Sequence, residues 1–486
     1  MAMDWKKLLS SSRYSDEKKF DDDIRSPFQK DIDRIIFSSH FRRLGRKTQV
    51  HPLNENDHIH TRLSHSLETS SVGRSLGQYV GRFLIKSRPN EIPESMTEEH
   101  FGQIVQAACL AHDIGNPPFG HAGESAIKEW FKSKQKQLKE SPHQIFLEHT
   151  TQNLPYTVSK EAKDKIINDL LLSQAKQCGA TALFLEDLAD DFLKFDGNAM
   201  AFRIMTKTGF DSGSKGMKPT FATLGAMLKY PYLSRSTQKD KFSCFYSERD
   251  ALICVADEVG LIKKTGEFNY ARHPLAFLVE ASDDICYRVM DIEDAIELNL
   301  IDTNIFKEYA RKSEWLQSEI SKITDLNRRS KIGRLRAKII HRCVNETIET
   351  FKENYELIIN GELNKSLLEL GKFGSISHLF YSEYENISNQ IFFSRRKVEI
   401  EIGSHATIGR ILNCFLSVVN DICSDKISFN EKQIASFLGN DKIKELKNNK
   451  EECHYNAFML ALDYITGMTD QYAVNLSKKF AGLGGF

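Results

Sequence analysis

A chain of 486 residues with 41% hydrophobic side chains can bury at least one large core and is long enough for two or three domains. Its 66 lysines and arginines balance 66 aspartates and glutamates, so no overall field draws it to nucleic acid or to an anionic membrane, and any phosphate site must be local. The nine cysteines stand singly with no C-x-x-C pair, which argues against a cysteine zinc site or a disulfide framework and for reduced thiols.

Apolar residues recur three and four apart over long stretches, while period-two alternation is short and rare, so the expected fold class is all-α. The N-terminus is charged and no run of about 18 apolar residues occurs, which leads us to expect a soluble cytoplasmic protein. In chain order, Thr61 is a plausible N-cap for a helix opening Arg62-Leu63-Ser64-His65-Ser66-Leu67-Glu68. Arg62 and His65 then lie one turn apart on one face, where one can bind an anion and the other a metal. Ser87-Arg88-Pro89-Asn90 reads as a loop, and Ser95-Met96-Thr97-Glu98 as a capping box for the next helix. Phe101, Ile104, Val105, Ala108 and Leu110 bury that helix up to His112. Asp113 follows, Gly115 can end the helix, and Pro117-Pro118 prevents its continuation. A core histidine bonded to its neighbours would explain the His112-Asp113 pair on its own.

Phe119-Gly120-His121-Ala122-Gly123-Glu124 turns into a further helix. Glu124, three residues after His121, can hold one imidazole nitrogen and aim the other as an acid or base, although a helix-start histidine bonded to a carboxylate gives the same pattern. Asp211–Gly216 and Ser234–Lys241 read as loops. Leu278 to Leu298 forms a two-faced helix, with Leu278, Ile285, Val289, Ile292 and Ile296 on one side and Asp283, Tyr287 and Asp291 on the other. An acidic outer face is the commoner cause of such a stripe, but Tyr287 within it speaks for a lined pocket. From Glu314 onward the chain is charged and helical in pattern, and its basic cluster Arg395-Arg396-Lys397 reads as a solvated loop or helix end.

His65, His112, Asp113 and Asp283 would together offer two imidazoles and two carboxylates. That set suits manganese, iron, zinc or magnesium, with positions left for water and substrate oxygens. Asp284 is the alternative fourth ligand; Asp283 shares its face with Tyr287, whereas Asp284 stands at ion-pair spacing from Arg288.

Several motifs occur in an order that resembles the bacterial deoxynucleoside triphosphate triphosphohydrolases, the dGTPases of the HD superfamily. They are Phe41-Arg42-Arg43-Leu44 with Lys47-Thr48-Gln49-Val50, Arg62 to Glu68, His112 to Glu124, Asp196-Gly197-Asn198-Ala199, Lys229-Tyr230-Pro231, Asp283-Asp284-Ile285-Cys286-Tyr287, and Tyr464 to Asp470. The resemblance implies an HD-domain helical core within residues 1–313, behind an N-terminal segment, and a helical region over 314–486 that packs, oligomerises and completes the substrate site. It implies that His65, His112, Asp113 and Asp283 hold one divalent ion per site, be it manganese, magnesium, cobalt, iron, nickel or zinc. Water would attack the α-phosphorus of a dNTP, dGTP foremost, and release deoxynucleoside and intact triphosphate. His121, oriented by Glu124, would act near the α-phosphate and leaving oxygen, while Gln49, Arg62, Asn198, Lys229, Tyr230, Tyr287 and Asp291 would contact phosphate and sugar. The resemblance also implies a homo-oligomer, with a hexamer among the options, and leaves room for a second dNTP or single-stranded DNA as effector. Two other readings stand beside it: another HD phosphohydrolase acting on nucleotide monophosphates or cyclic nucleotides, and a nucleotide-sensing protein without turnover.

Overall fold

A computed structural model describes residues 2–14, 24–50, 56–139, 189–207, 217–237, 239–323, 328–392, 395–424, 429–448 and 453–483. The helices used below are α1 (Pro27–Ile36), α2 (Arg62–Ser87), α3 (Glu98–Ala111), α4 (His121–Lys139), α5 (Gly197–Thr206), α6 (Phe221–Met227), α7 (Ala276–Glu297), α8 (Arg328–Glu353), α9 (Ile376–Phe392), α10 (Arg395–Ser424), α11 (Cys453–Thr466) and α12 (Asp470–Phe480). Among the described residues the extended pairings are isolated bridges, such as Thr48 with Thr61, and no sheet forms. The fold is all-α, as the periodicity predicts. No helix among these residues is long and apolar enough to cross a membrane.

The chain divides into two compact units, Met1–Asn116 with Gly197–Ile400, and Pro117–Asp196 with Glu401–Phe486. In the first unit α2 packs along α3, and α7 lies against both. Glycines permit the close approach of α2 and α3: a Cβ on Gly73 would lie 2.5 Å from Cys109 Sγ, and one on Gly77 2.6 Å from the Phe101 carbonyl oxygen. Spaced four apart, these glycines share one face of α2, so its backbone meets α3 without side chains between them. α1 and α6 also pack on α3, while α8 and α9 pack on α7.

Local signals set the helix ends. Thr61 caps α2, its hydroxyl accepting from the Ser64 N–H while Ser64 Oγ accepts from the Thr61 N–H. The capping box expected at Ser95 is not the one used. Thr97 is the N-cap of α3 and its N–H donates to His100 Nδ1 at 3.2 Å, because a Pro93–Met96 turn still occupies Ser95 (Met96 N to Pro93 O, 2.9 Å). α3 ends at Ala111 with His112 as its C-cap. The stripe of α7 is largely withdrawn from water: Asp291 is 2% exposed, and Asp283 and Tyr287 are partly buried.

In the second unit α4 supplies Trp130 and Phe131 to an aromatic core with Phe192, Tyr455 and Phe458. The polar ends of these rings find partners: Trp130 Nε1 donates to Asn413 Oδ1 at 3.0 Å, and the Tyr455 hydroxyl to Asp191 Oδ2 at 2.6 Å. Phe119 and Gly120, just before α4, both have left-handed backbones, with φ of 66° and 58°. Phenylalanine tolerates this at a cost, offset by burial of its ring and by its N–H donating to Asp470 Oδ1 at 2.9 Å, at the start of α12. The loop Asp211–Gly216 lies outside the described residues, as do the side chains of Arg395, Arg396 and Lys397, whose backbone opens α10.

Candidate metal centre

The end of α3, the first turns of α2 and the second turn of α7 meet inside the first unit. α2 delivers His65, the α3 terminus delivers His112 and Asp113, and α7 delivers Asp283. The donor atoms of His65, His112 and Asp113 all lie within 4.8 Å of one another, and all three residues are buried. Asp283 Oδ1 stands 3.1 Å from His65 Nε2 and 3.4 Å from His112 Nε2, and Asp113 Oδ1 stands 3.5 Å from His112 Nε2. Two donors each about 2.1 Å from one ion and at right angles stand about 3 Å apart, so these separations fit ligands that share a cation.

The tautomer fits as well. His112 Nδ1–H donates to the Cys109 carbonyl at 2.6 Å, which leaves the Nε2 lone pair toward the cluster. That Nε2 is buried and makes no hydrogen bond. Burial opposes charge on His112, but Asp113 and then Asp283 outweigh it and raise its proton affinity; the same field favours a cation in place of the proton. Burial likewise opposes ionisation of Asp113 and Asp283. Arg62 outweighs it for Asp113, and Lys229, followed by His112, holds Asp283 well below the usual carboxylate range.

Two cations flank the cluster. Arg62, 3% exposed, donates to Asp113 Oδ2 at 2.8 Å, and Lys229 Nζ donates to Asp283 Oδ2 at 2.5 Å. Asp284 turns away and pairs with Arg288 at 2.6 Å. Asn116 Nδ2 donates to Asp113 Oδ1 at 2.5 Å, and Lys47 Nζ holds the Asn116 carbonyl at 2.6 Å. Gly115 completes the turn, since a Cβ there would lie 2.2 Å from Ala201 N at the start of α5, where Asn198 is the second residue. Gln49 lies beside the Thr48–Thr61 bridge, its Oε1 buried without a donor; Arg62 Nε is buried without an acceptor. Both atoms are therefore able to bond a molecule that enters beside the cluster.

An HD-domain family model matches residues 62–162. Over 503 aligned residues, covering 99% of both chains, the protein is 36% identical to a deoxyguanosinetriphosphate triphosphohydrolase-like protein of Pseudomonas aeruginosa (strain LESB58). It is 35% identical to one from Synechocystis sp. over 99% of this chain and 100% of the other. To the deoxyguanosinetriphosphate triphosphohydrolase of Enterobacter sp. (strain 638) it is 27% identical over 97% and 96%. The chain belongs to the dGTPase family of HD-domain proteins. It is an HD-type phosphohydrolase, and its His-His-Asp cluster can hold a metal ion.

The remaining residues that dGTPase-family resemblance singles out fall into three groups. Tyr287 and Asp291 extend the α7 face beyond Asp283, and both meet Tyr384 of α9. The two tyrosine rings lie 5.4 Å apart, and the Tyr384 hydroxyl donates to Asp291 Oδ2. Burial, then Asp291, pushes the Tyr287 phenol up, so it stays protonated. Tyr230 follows Lys229 and packs near Tyr232 with ring centres 6.2 Å apart. His121 and Glu124 belong to the second unit, at the start of α4: Glu124 is 5% exposed at its side chain and holds His121 Nδ1 at 3.0 Å, while the His121 ring is 69% exposed. Sequence reasoning gave no role to Asn116, Lys47 or Tyr384. Tyr384 sits in the apolar stripe Leu379, Phe380, Ile387 and therefore reads as ordinary core.

Proposed function

We propose that the protein is a metal-dependent dNTP triphosphohydrolase, adding water to the α-phosphorus of a deoxynucleoside triphosphate and releasing deoxynucleoside with intact inorganic triphosphate. The observation that carries this reading is a buried His65-His112-Asp113 cluster that can hold a metal, with Asp283 beside it and two cations, buried Arg62 and largely buried Lys229, bonded to Asp113 and Asp283. The names of the relatives matched over nearly their full length support the choice of substrate.

A triphosphate carries several negative charges that repel an incoming hydroxide, so positive groups fixed in advance lower the barrier. His65, His112, Asp113 and Asp283 would hold a divalent ion, which would supply Lewis acidity toward water and a phosphoryl oxygen. Arg62 and Lys229 provide charge for the phosphate tail, exchanging part of their carboxylate bonding for phosphate oxygens. Arg62 Nε and Gln49 Oε1 are a donor and an acceptor left over for substrate or its water, and Asn198 and Tyr230 join them in contacting phosphate and sugar. His121, its Nδ1 held by Glu124, keeps Nε2 for the proton that the departing 5′-oxygen takes up. Tyr287 packs on the deoxyribose and Asp291 accepts from a sugar hydroxyl. Excluding a 2′-hydroxyl by shape alone discriminates by roughly 1–3 kcal/mol, so deoxy selectivity draws on both residues.

Incubation with each of the four dNTPs and each of manganese, magnesium and cobalt, followed by product identification, tests this reading. Turnover of at least one dNTP to deoxynucleoside, dependent on metal, is expected. Turnover of monophosphates or cyclic nucleotides alone would assign the protein to another HD chemistry, and dNTP binding with no product would make it a sensor.

A further inference from the structure

A cavity of about 560 Å³ in the first unit shares a wall with the metal centre: Lys229 and Tyr230 line it, and Lys229 is the residue bonded to Asp283. The volume is that of a ligand pocket, larger than a terminal phosphate fills. Its carboxylates are already engaged. Glu280 pairs with Arg272 at 2.6 Å, Asp284 with Arg288 at 2.6 Å, and Glu369 with Lys365 at 2.8 Å. Lys264 differs, because among the described residues it meets no carboxylate; its Nζ donates to the neutral Asn364 Oδ1 at 2.9 Å. Burial and the neighbouring Arg272 guanidinium hold this ammonium below the usual lysine range. Exposed Lys239 adds a further cation to the wall, and Arg288 Nε is a buried donor without an acceptor. A half-buried ammonium next to a guanidinium, with no acid of its own, gains from an incoming anion.

We propose that this cavity receives phosphate beyond the third, so that the protein hydrolyses deoxynucleoside 5′-tetraphosphates as well as triphosphates, the fourth phosphate lying toward Lys264. The inference rests on the function proposed above and extends it to longer tails. Water adds to the α-phosphorus and the bond from that phosphorus to the 5′-oxygen breaks. The 5′-oxygen leaves with a proton as deoxynucleoside, and the water oxygen stays on the released inorganic tetraphosphate. Lys229 and Tyr230 meet the third phosphate in both substrates; Lys264 meets the tail of the longer one alone.

The test compares deoxyguanosine 5′-tetraphosphate with dGTP on the wild type and on Lys264→Glu, and titrates inorganic tetraphosphate and inorganic triphosphate into both proteins by calorimetry. On the wild type, kcat/KM for the tetraphosphate is expected within about tenfold of dGTP; Lys264→Glu should lower it by about tenfold and leave dGTP within about twofold. Inorganic tetraphosphate should bind the wild type more tightly than triphosphate, and the variant should lose that preference. Efficient dGTP turnover with a tetraphosphate more than about a hundredfold poorer would overturn the inference and leave the proposed function standing, and so would a variant that weakens both substrates equally. If no dNTP is turned over, the functional reading fails by itself. Calorimetry then decides the cavity: a tetraphosphate preference abolished by the variant keeps the anion subsite, and equal binding of the two anions removes it. Lys264→Gln serves the same comparisons if the charge reversal does not fold.

Discussion

At the scale of single residues, the candidate metal centre is organised as much by Asn116 as by the side chains proposed as its ligands. Asn116 Nδ2 fixes Asp113 Oδ1, while Arg62 takes the other carboxylate oxygen, so the rotamer of Asp113 is set from both sides. Asn116→Ala is therefore expected to weaken manganese binding by about 10–100-fold in a calorimetric titration, and an unchanged affinity would show that Arg62 alone orients the ligand. His121→Ala should do the opposite, keeping metal content while turnover falls by roughly 10²–10⁴-fold. Wild-type rates in that variant would remove His121 from the proton-handling role. Histidines and carboxylates are few enough in a sequence to be weighed one by one, so His65, His112, Asp113 and Asp283 could be named there as candidate ligands; the fold clusters the first three, with Asp283 Oδ1 3.1 Å from His65 Nε2. Asn116, Lys47 and Tyr384 were not legible, since an amide, a lysine and a stripe tyrosine acquire meaning only from the partners the fold brings to them.

Between elements, His60 joins the entry of α2 to α7. Its Nδ1–H donates to Asp294 Oδ1 at 2.7 Å, its backbone N–H reaches Asp294 Oδ2 at 3.2 Å, and its Nε2 lies 3.5 Å from Glu68 Oε2. Burial alone would lower this imidazole, but the bonds to Asp294 and Glu68 raise it to about 10. A group whose affinity for a proton rises on folding stabilises the fold fully below its unfolded pKa, near 6.5, and that contribution is lost as pH climbs through the folded value. Unfolding free energy of the wild type should accordingly drop by about 2 kcal/mol more than that of His60→Gln between pH 7 and pH 10, allowing for screening of the partly exposed Glu68. Parallel denaturation curves for the two proteins over that range would contradict the assignment. Helix periodicity located α2, α3 and α7, yet it misplaced the start of α3, because a capping box and a turn ahead of a cap are written in the same residue types. Periodicity separated the two faces of α7 without saying which one the neighbours cover, and it was Tyr287 within the stripe that pointed to a lined pocket rather than an acidic outer face.

For the molecule as a whole, the fold class followed from composition and period, and the family from motifs spread over nearly the full length. The division into two units, each assembled from two stretches of chain, was not legible, because no composition shift marks residues 116, 196 or 400. Within the first unit the metal centre, its flanking cations and the Lys264 cavity are contiguous through Lys229 and Asp283, which gives one set of residues a claim on the cation, the phosphate tail and what lies past it. The most direct test of that claim is the phosphorus NMR spectrum of the products formed from dGTP by the manganese-loaded protein. The account predicts inorganic triphosphate with no phosphorus left on the nucleoside; dGMP with pyrophosphate, or an unchanged spectrum with every divalent metal, would contradict it.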